Sequence, residues 1–243
     1  MIKAENLSMI YGKDFKAVDD LSFEIKPGEI VGFAGPNGAG KTTVIKMLTG
    51  ILKPASGRAL INGFDIVKEP IKAKESFAYV ADNPDILLQL SGVEYINYIA
   101  NLYRVPLENR KKRINDLAER FDLTDSLGLP MKEYSHGMRQ KTMVIAALIH
   151  EPPAWILDEP MTGLDPTAAY ELKKMMKEHA AGGNAVLFST HVLEVAEKLC
   201  DRIMIIDHGK NLYQGTVEGL RDEHPDKDLE EIFIEMTSSG GSA

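Results

Sequence analysis

The sequence predicts an α/β fold: strands alternating with helices around one sheet, interrupted by a helical insertion at about residues 84–134. Two observations carry this. Short apolar runs bounded by Gly and Pro recur along the chain and alternate with stretches of helical periodicity. From Ser91 the pattern changes to helix-spaced apolar residues, and Asn109 to Lys132 has no convincing strand.

Taken in order, residues 1–27 alternate in short apolar stretches, with Leu21 to Ile25 (LSFEI) the clearest strand, and Pro27-Gly28 marks a turn. Glu29 to Gly35 (EIVGFAG) reads as a buried strand. It runs into a glycine-rich loop and then an apolar helix, TTVIKMLTGIL. Ala59 to Ile61 and Phe77 to Val80 read as further strands. In the insertion, Val93, Ile96, Ile99 and Leu102 are expected on one helix face, and Ile114, Leu117 and Phe121 mark a second amphipathic helix. A helix over MRQKTMVIAALIH precedes a strand at Ala154 to Asp158, and another helix runs from about Pro166 to Ala180. Ala185 to Thr190 is a strand. IMIID and LYQG form a hairpin turning at Gly209, and helices near 216–223 and 228–236 close the fold. Residues 1–237 are read as one domain and 238–243 as a flexible tail, because SSGGSA has linker composition.

Composition bounds the function. A hydrophobic content of 44% can fill a core, so global disorder is excluded. With 28 basic against 36 acidic residues the formal charge is -8, which argues against nucleic acid as a partner. The single cysteine, Cys200, permits no intrachain disulfide and points to a reducing compartment. The amino terminus does not read as a signal peptide. The longest apolar run, Met143 to Ile149, is far short of the roughly 20 residues of a membrane span. The run Arg110 to Arg113 (RKKR) opens an amphipathic helix and is read as a solvated face.

Gly35 to Thr42, GPNGAGKT, matches G-x-x-x-x-G-K-[ST]. Gly35, Gly38 and Gly40 let the backbone close around phosphates, and the amides of the loop, with Pro36, Asn37 and Ala39, turn toward the anion. Lys41 supplies a mobile cation for the β- and γ-phosphates. Thr42 offers its hydroxyl to Mg²⁺, and Thr43 reaches the α-phosphate region. WILDEP puts Asp158 and Glu159 at the carboxyl end of a strand, where open α/β sheets bind ligands. There Asp158 can hold Mg²⁺ through water, and Glu159 can take a proton from the water attacking the γ-phosphate. YSHGMRQ places Ser135 beside His136, but no third group orients them, and adjacent residues at a helix start do not face each other. The segment reads as an anion-binding helix entrance rather than a nucleophile and its base.

In order along the chain, IYG, GPNGAGKTT, YSHGMRQ, WILDEP, TGLDP and STH resemble the motifs of the nucleotide-binding subunit of ATP-binding cassette (ABC) transporters, over nearly the whole chain. The resemblance implies the ABC ATPase fold, a P-loop NTPase core with an amino-terminal antiparallel β subdomain. It implies Tyr11 as the aromatic stacking on adenine and the P-loop as Walker A. Ser135 and Gly137 would act in the signature segment, Asp165 in the D-loop, and His191 as the switch histidine contacting the γ-phosphate. ATP and Mg²⁺ are the implied cofactors. Catalysis falls to Glu159, His191 and Lys41. The implied partners are a separate integral membrane subunit, docked near residues 80–105, and a second cassette, a homodimer. The chain would lie on the cytoplasmic face of the cell membrane through that membrane partner, and the SHGM signature and carboxyl-terminal end favour export. Three positions depart from the family pattern, the first being Met138, which replaces a glutamine of the signature. In YVADNPD, with Tyr79 and Pro84 setting the register, Asp82 stands where a glutamine is usual and is expected to keep a contact to Mg²⁺. His136 replaces a glycine and either touches the facing nucleotide or lies at the dimer seam.

Overall fold

The computed structural model describes residues 1–84 and 87–238. The chain opens with two long strands, β1 (Ile2–Tyr11) and β2 (Phe15–Ile25), then β3 (Ile30–Ala34), helix α1 (Lys41–Leu48), β4 (Ser56–Ile61), β5 (Phe64–Asp65), α2 (Pro70–Glu75) and β6 (Phe77–Val80). The insertion carries α3 (Gly92–Leu102) and α4 (Leu107–Arg120). The chain continues through α5 (His136–Leu148), β7 (Ala154–Leu157), α6 (Pro166–Ala181), β8 (Ala185–Thr190), α7 (Leu193–Leu199), β9 (Arg202–Asp207), β10 (Lys210–Gly215), α8 (Val217–Glu223) and α9 (Leu229–Ser238).

Two sheets result. The first is antiparallel, in the order β2-β1-β4-β5. The second, β10-β9-β3-β8-β7-β6, is parallel from β9 to β6 with β10 antiparallel at one edge. Strands β3, β7 and β8 are buried along their whole length, as continuous apolar runs covered on both faces must be. One core cluster joins the parallel sheet to the insertion through Tyr95, Ile96, Ile114 and Phe121. A second joins α1 to the antiparallel sheet through Leu7, Val44, Ile45 and Phe23. Among the described residues no helix is long and apolar enough to cross a membrane.

Several expectations are corrected. Leu102 is 60% exposed, off the buried face of α3, which is Tyr95, Ile96 and Ala100. Each step of three residues falls about 60° short of a turn, so Leu102 lies opposite Val93. Helix α1 stops at Leu48 rather than running to Leu52: Gly50, at φ 70°, ends it. The RKKR run is not uniformly solvated. Arg110 is buried and donates to Asn101 Oδ1 (2.8 Å) and the Val105 carbonyl (2.7 Å), and Arg113 donates to the Ile149 carbonyl (3.0 Å). These guanidiniums tie the insertion together and to α5. Helix α9 takes in Ser238, one residue of the expected tail, and 239–243 lie outside the described residues.

Candidate active site

The parallel register brings the chemistry to one edge. Ala34 pairs with Thr190, Phe188 with Leu157, and Leu157 with Val80, so β3, β8, β7 and β6 end side by side. The loop at 35–40, His191, the Asp158–Glu159 pair and Asp82 each follow one of those ends. They are gathered at one place although they span residues 35 to 191.

The loop is shaped by its glycines. Gly40 sits at φ 106° directly before α1, and a Cβ there would lie 2.6 Å from the Ala17 carbonyl oxygen. Only glycine suits that position. Gly40 caps α1 without a side-chain bond, which leaves the first amides of the helix for an anion. Lys41 is buried, and its ammonium donates to the Gly35 (2.5 Å) and Pro36 (3.1 Å) carbonyls. Burial lowers its pKa, and the charges of Glu159 and Asp158 oppose that shift.

Asp158 is wholly buried. Burial raises its pKa, and the nearby charges of Asp82 and Glu159 raise it further. The Ser189 and Thr42 hydroxyls favour the charged form. Ser189 Oγ donates to Asp158 Oδ1 at 2.6 Å and accepts from the Glu159 amide at 2.8 Å. Oδ2 has no hydrogen-bond partner among the described residues. A buried carboxylate oxygen left free beside a threonine hydroxyl and a phosphate-type loop fits a divalent cation held by few protein ligands and completed by phosphate and water. These residues therefore fit Mg²⁺, with Thr42 and Asp158 as its protein contacts.

Glu159 has φ 46°, a left-handed conformation uncommon for a residue with a side chain. This turns its carboxylate out of the strand line, where Oε2 meets His191 Nδ1 at 3.0 Å. Asp82 is exposed; the pKa of the half-buried Tyr79 hydroxyl is raised by burial first, then by the charges of Asp158 and Asp82.

The signature residues lie in a second cluster. Ser135 caps α5 by accepting from the Met138 amide (3.2 Å). A Cβ at Gly137 would lie 2.7 Å from the Gly163 carbonyl oxygen, and the imidazole of His136 covers the open face of Gly163, which sits at φ 78°. Asp165 caps α6 by accepting from the Ala168 amide (2.9 Å) and pairs with Lys141 Nζ (2.7 Å). The first turns of α5 thus hold the 160–165 segment of the same chain. Tyr11 ends β1 and is 42% exposed.

Sequence reasoning missed Ser189. Its signal was a buried serine at the end of an otherwise apolar strand, legible only when β8 and β7 are known to be neighbours. It also missed Lys141 and Gln140, whose Nε2 is 3.5 Å from the Pro160 carbonyl.

A phosphate loop after β3 and two carboxylates after β7, with β8 between the two strands, define a P-loop nucleotide hydrolase. The ABC transporter family profile matches residues 18–162. The chain is 35% identical to the ABC transporter ATP-binding protein NatA of Bacillus subtilis, over 94% of this chain and 93% of that protein. It is 34% identical to the daunorubicin resistance ATP-binding protein DrrA3 of Streptomyces coeruleorubidus, over 96% and 73%. A solved ATP-binding subunit of an ABC transporter superposes with a TM-score of 0.91 at 33% identity, covering 97% of this chain and 98% of that one. The cassette MJ0796, solved as a dimer bound to ADP and Pi, shares the fold at 23% identity and a TM-score of 0.81, over 89% and 99%. The chain belongs to the ABC transporter family. It is the ATP-binding, ATP-hydrolysing subunit, with the ABC ATPase fold.

Proposed function

We propose that two copies of this chain meet head to tail, so that the Walker A loop of each faces the Ser135–Gly137 helix entrance of the other across one ATP. The observation that carries this is that the Ser135–Gly137 entrance packs on Gly163 of its own chain, while Gly35 and Gly40 of the 35–40 loop meet Ile206, Ala17 and Val18. Ser135 hydrogen-bonds within α5, and Gly137 and His136 face Gly163, whereas the catalytic carboxylates belong to the strand-end cluster.

Within each site, Lys41 and the loop amides hold the phosphates. Glu159 accepts the proton of the attacking water through its carboxylate, and the His191 ring, 3.0 Å away, holds that carboxylate in orientation. Thr42 and Asp158 would hold Mg²⁺, which neutralises charge on the β- and γ-phosphates. Asp82 adds negative charge beside that position, so Asp82→Gln is expected to change the apparent Mg²⁺ affinity of turnover. Unchanged affinity and turnover would remove Asp82 from the site. The Tyr11 ring receives the base, and Asp165 keeps the D-loop seated on α5.

A cavity of about 230 Å³ lined by Tyr79, Ala81, Tyr95, Ile99, Tyr103 and Met143 opens between β6 and the insertion. It is the proposed seat of a helix from an integral membrane subunit, which would hold the cassette on the cytoplasmic face. The name of DrrA3, a daunorubicin resistance protein, favours export. ATPase assays of the wild type and Glu159→Gln test the core of the reading: turnover collapses while ATP binding persists, and equal turnover would contradict it.

A further inference from the structure

The tip of the first hairpin carries an exposed aromatic with no assigned role. Phe15 is 65% exposed, and it pairs directly with Tyr11 across the three-residue turn 12–14. Directly opposed residues of an antiparallel pair project from the same face, with Cβ atoms about 5 Å apart. The two side chains therefore leave the hairpin tip on the same face.

The direction of that face follows from the strand. Met9 pairs with Val18 and Ile10 with Lys16, which leaves Ala17 as a bulge. Met9, Val18, Tyr11 and Phe15 then share one face, while Ile10 and Lys16 take the other. Burial agrees at the inner end: Met9 and Val18 are buried, and Ile10 is 46% exposed. The inner end of this face meets the phosphate loop, because a Cβ on Gly40 would lie 3.6 Å from Val18 Cγ2. Phe15 lies three residues further along β2, roughly 10 Å of extended strand. A nucleotide whose phosphates occupy the Gly40 loop and whose ribose crosses this strand delivers its base to the two rings.

We propose that Phe15 is a second base-binding residue, forming with Tyr11 a two-ring platform on which the fused rings of a purine lie. The inference rests on the reading that the nucleotide phosphates occupy the 35–43 loop. Each ring alone covers part of a purine. Together they offer a larger aromatic surface, and stacking on aromatic faces is strong enough to measure for every base.

The test is titration calorimetry of ADP and of inorganic tripolyphosphate into the wild type, Phe15→Ala, Phe15→Tyr and Tyr11→Ala. ADP carries the base without the γ-phosphate that would draw two copies together. Phe15→Ala is expected to weaken ADP about 5- to 20-fold and to leave tripolyphosphate within about twofold, while Phe15→Tyr keeps ADP affinity. Unchanged ADP affinity in Phe15→Ala overturns the proposal, as does an equal loss for both probes. Lys41→Ala serves as the control for the underlying reading. If it fails to weaken tripolyphosphate, the placement of the phosphates is wrong, and the proposal falls with it.

Discussion

Asp158 embodies a conflict between folding and function. A wholly buried carboxyl is driven toward its neutral form by burial, yet its free Oδ2 is useful to a cation only when charged. The sign is definite. A carboxyl whose folded pKa is raised contributes stability at low pH that is lost as pH rises through that pKa. Asp158→Asn, neutral at every pH, is therefore expected to raise the neutral-pH Tm of the nucleotide-free protein and to abolish the further rise on adding Mg²⁺ with ATP. Differential scanning calorimetry at pH 7 and pH 5 checks both, with a smaller gain at pH 5. Ser189 holds the pair together through one hydroxyl that donates to Asp158 and accepts from the strained Glu159 amide. Ser189→Ala is expected to lower kcat about 10- to 100-fold, with KM for ATP within about threefold, the range seen when a group supporting a metal ligand is lost. A KM that rises in parallel with the fall in kcat would instead indicate a collapsed site. The aspartate and glutamate were legible in sequence because WILDEP is contiguous. Ser189 was not, because its meaning depends on a strand pairing 31 residues away.

At the scale of elements, α5 and the segment after β7 form the joint that matters. His136 against Gly163 and Gln140 near Pro160 lie one turn apart on α5, as do Gly137 against Gly163 and Lys141 bonded to Asp165. Gly163→Ala forces a side chain into the imidazole at a positive φ. The conformational part alone costs about 1–2 kcal/mol. Removing the imidazole with His136→Gly relieves only the steric part, so the double variant is expected to recover stability relative to Gly163→Ala, as read by denaturant midpoints. Additive losses would mean that the ring does not seat on Gly163. The sequence placed α5 and α6 within a residue or two of their ends, since their apolar periodicity and caps are local. It missed α2 and α7, six and seven residues long with no side-chain cap, because tertiary contacts alone hold such short helices. The RKKR run was misread for a related reason: the acceptors of Arg110 and Arg113 lie on α3, the α3–α4 turn and the end of α5.

For the molecule as a whole, two half-buried histidines weaken the fold in acid. His150, stacked on Tyr103, and His179, stacked on Trp155, are each lowered by burial to about 4. The unfolded chain takes up these protons near pH 6.5. The contribution of both groups is thus present above about pH 6.5 and is lost as pH falls toward 4. Replacing both by glutamine is expected to flatten the fall in Tm between pH 6.5 and 4, and a slope equal to the wild type's would contradict this. The arrangement of clusters then makes the larger demand. On the proposed reading, a site assembled on four strand ends, with its signature helix held against its own D-loop, is completed by a second copy. The most direct measurement is light scattering of Glu159→Gln with saturating ATP and Mg²⁺, paired with phosphate release. The account predicts a dimer retaining two ATP, with release at least about 100-fold below wild type, since a general base contributes on the order of 10²–10⁴. A protein that stays monomeric with ATP bound, or that releases phosphate at the wild-type rate, would contradict it.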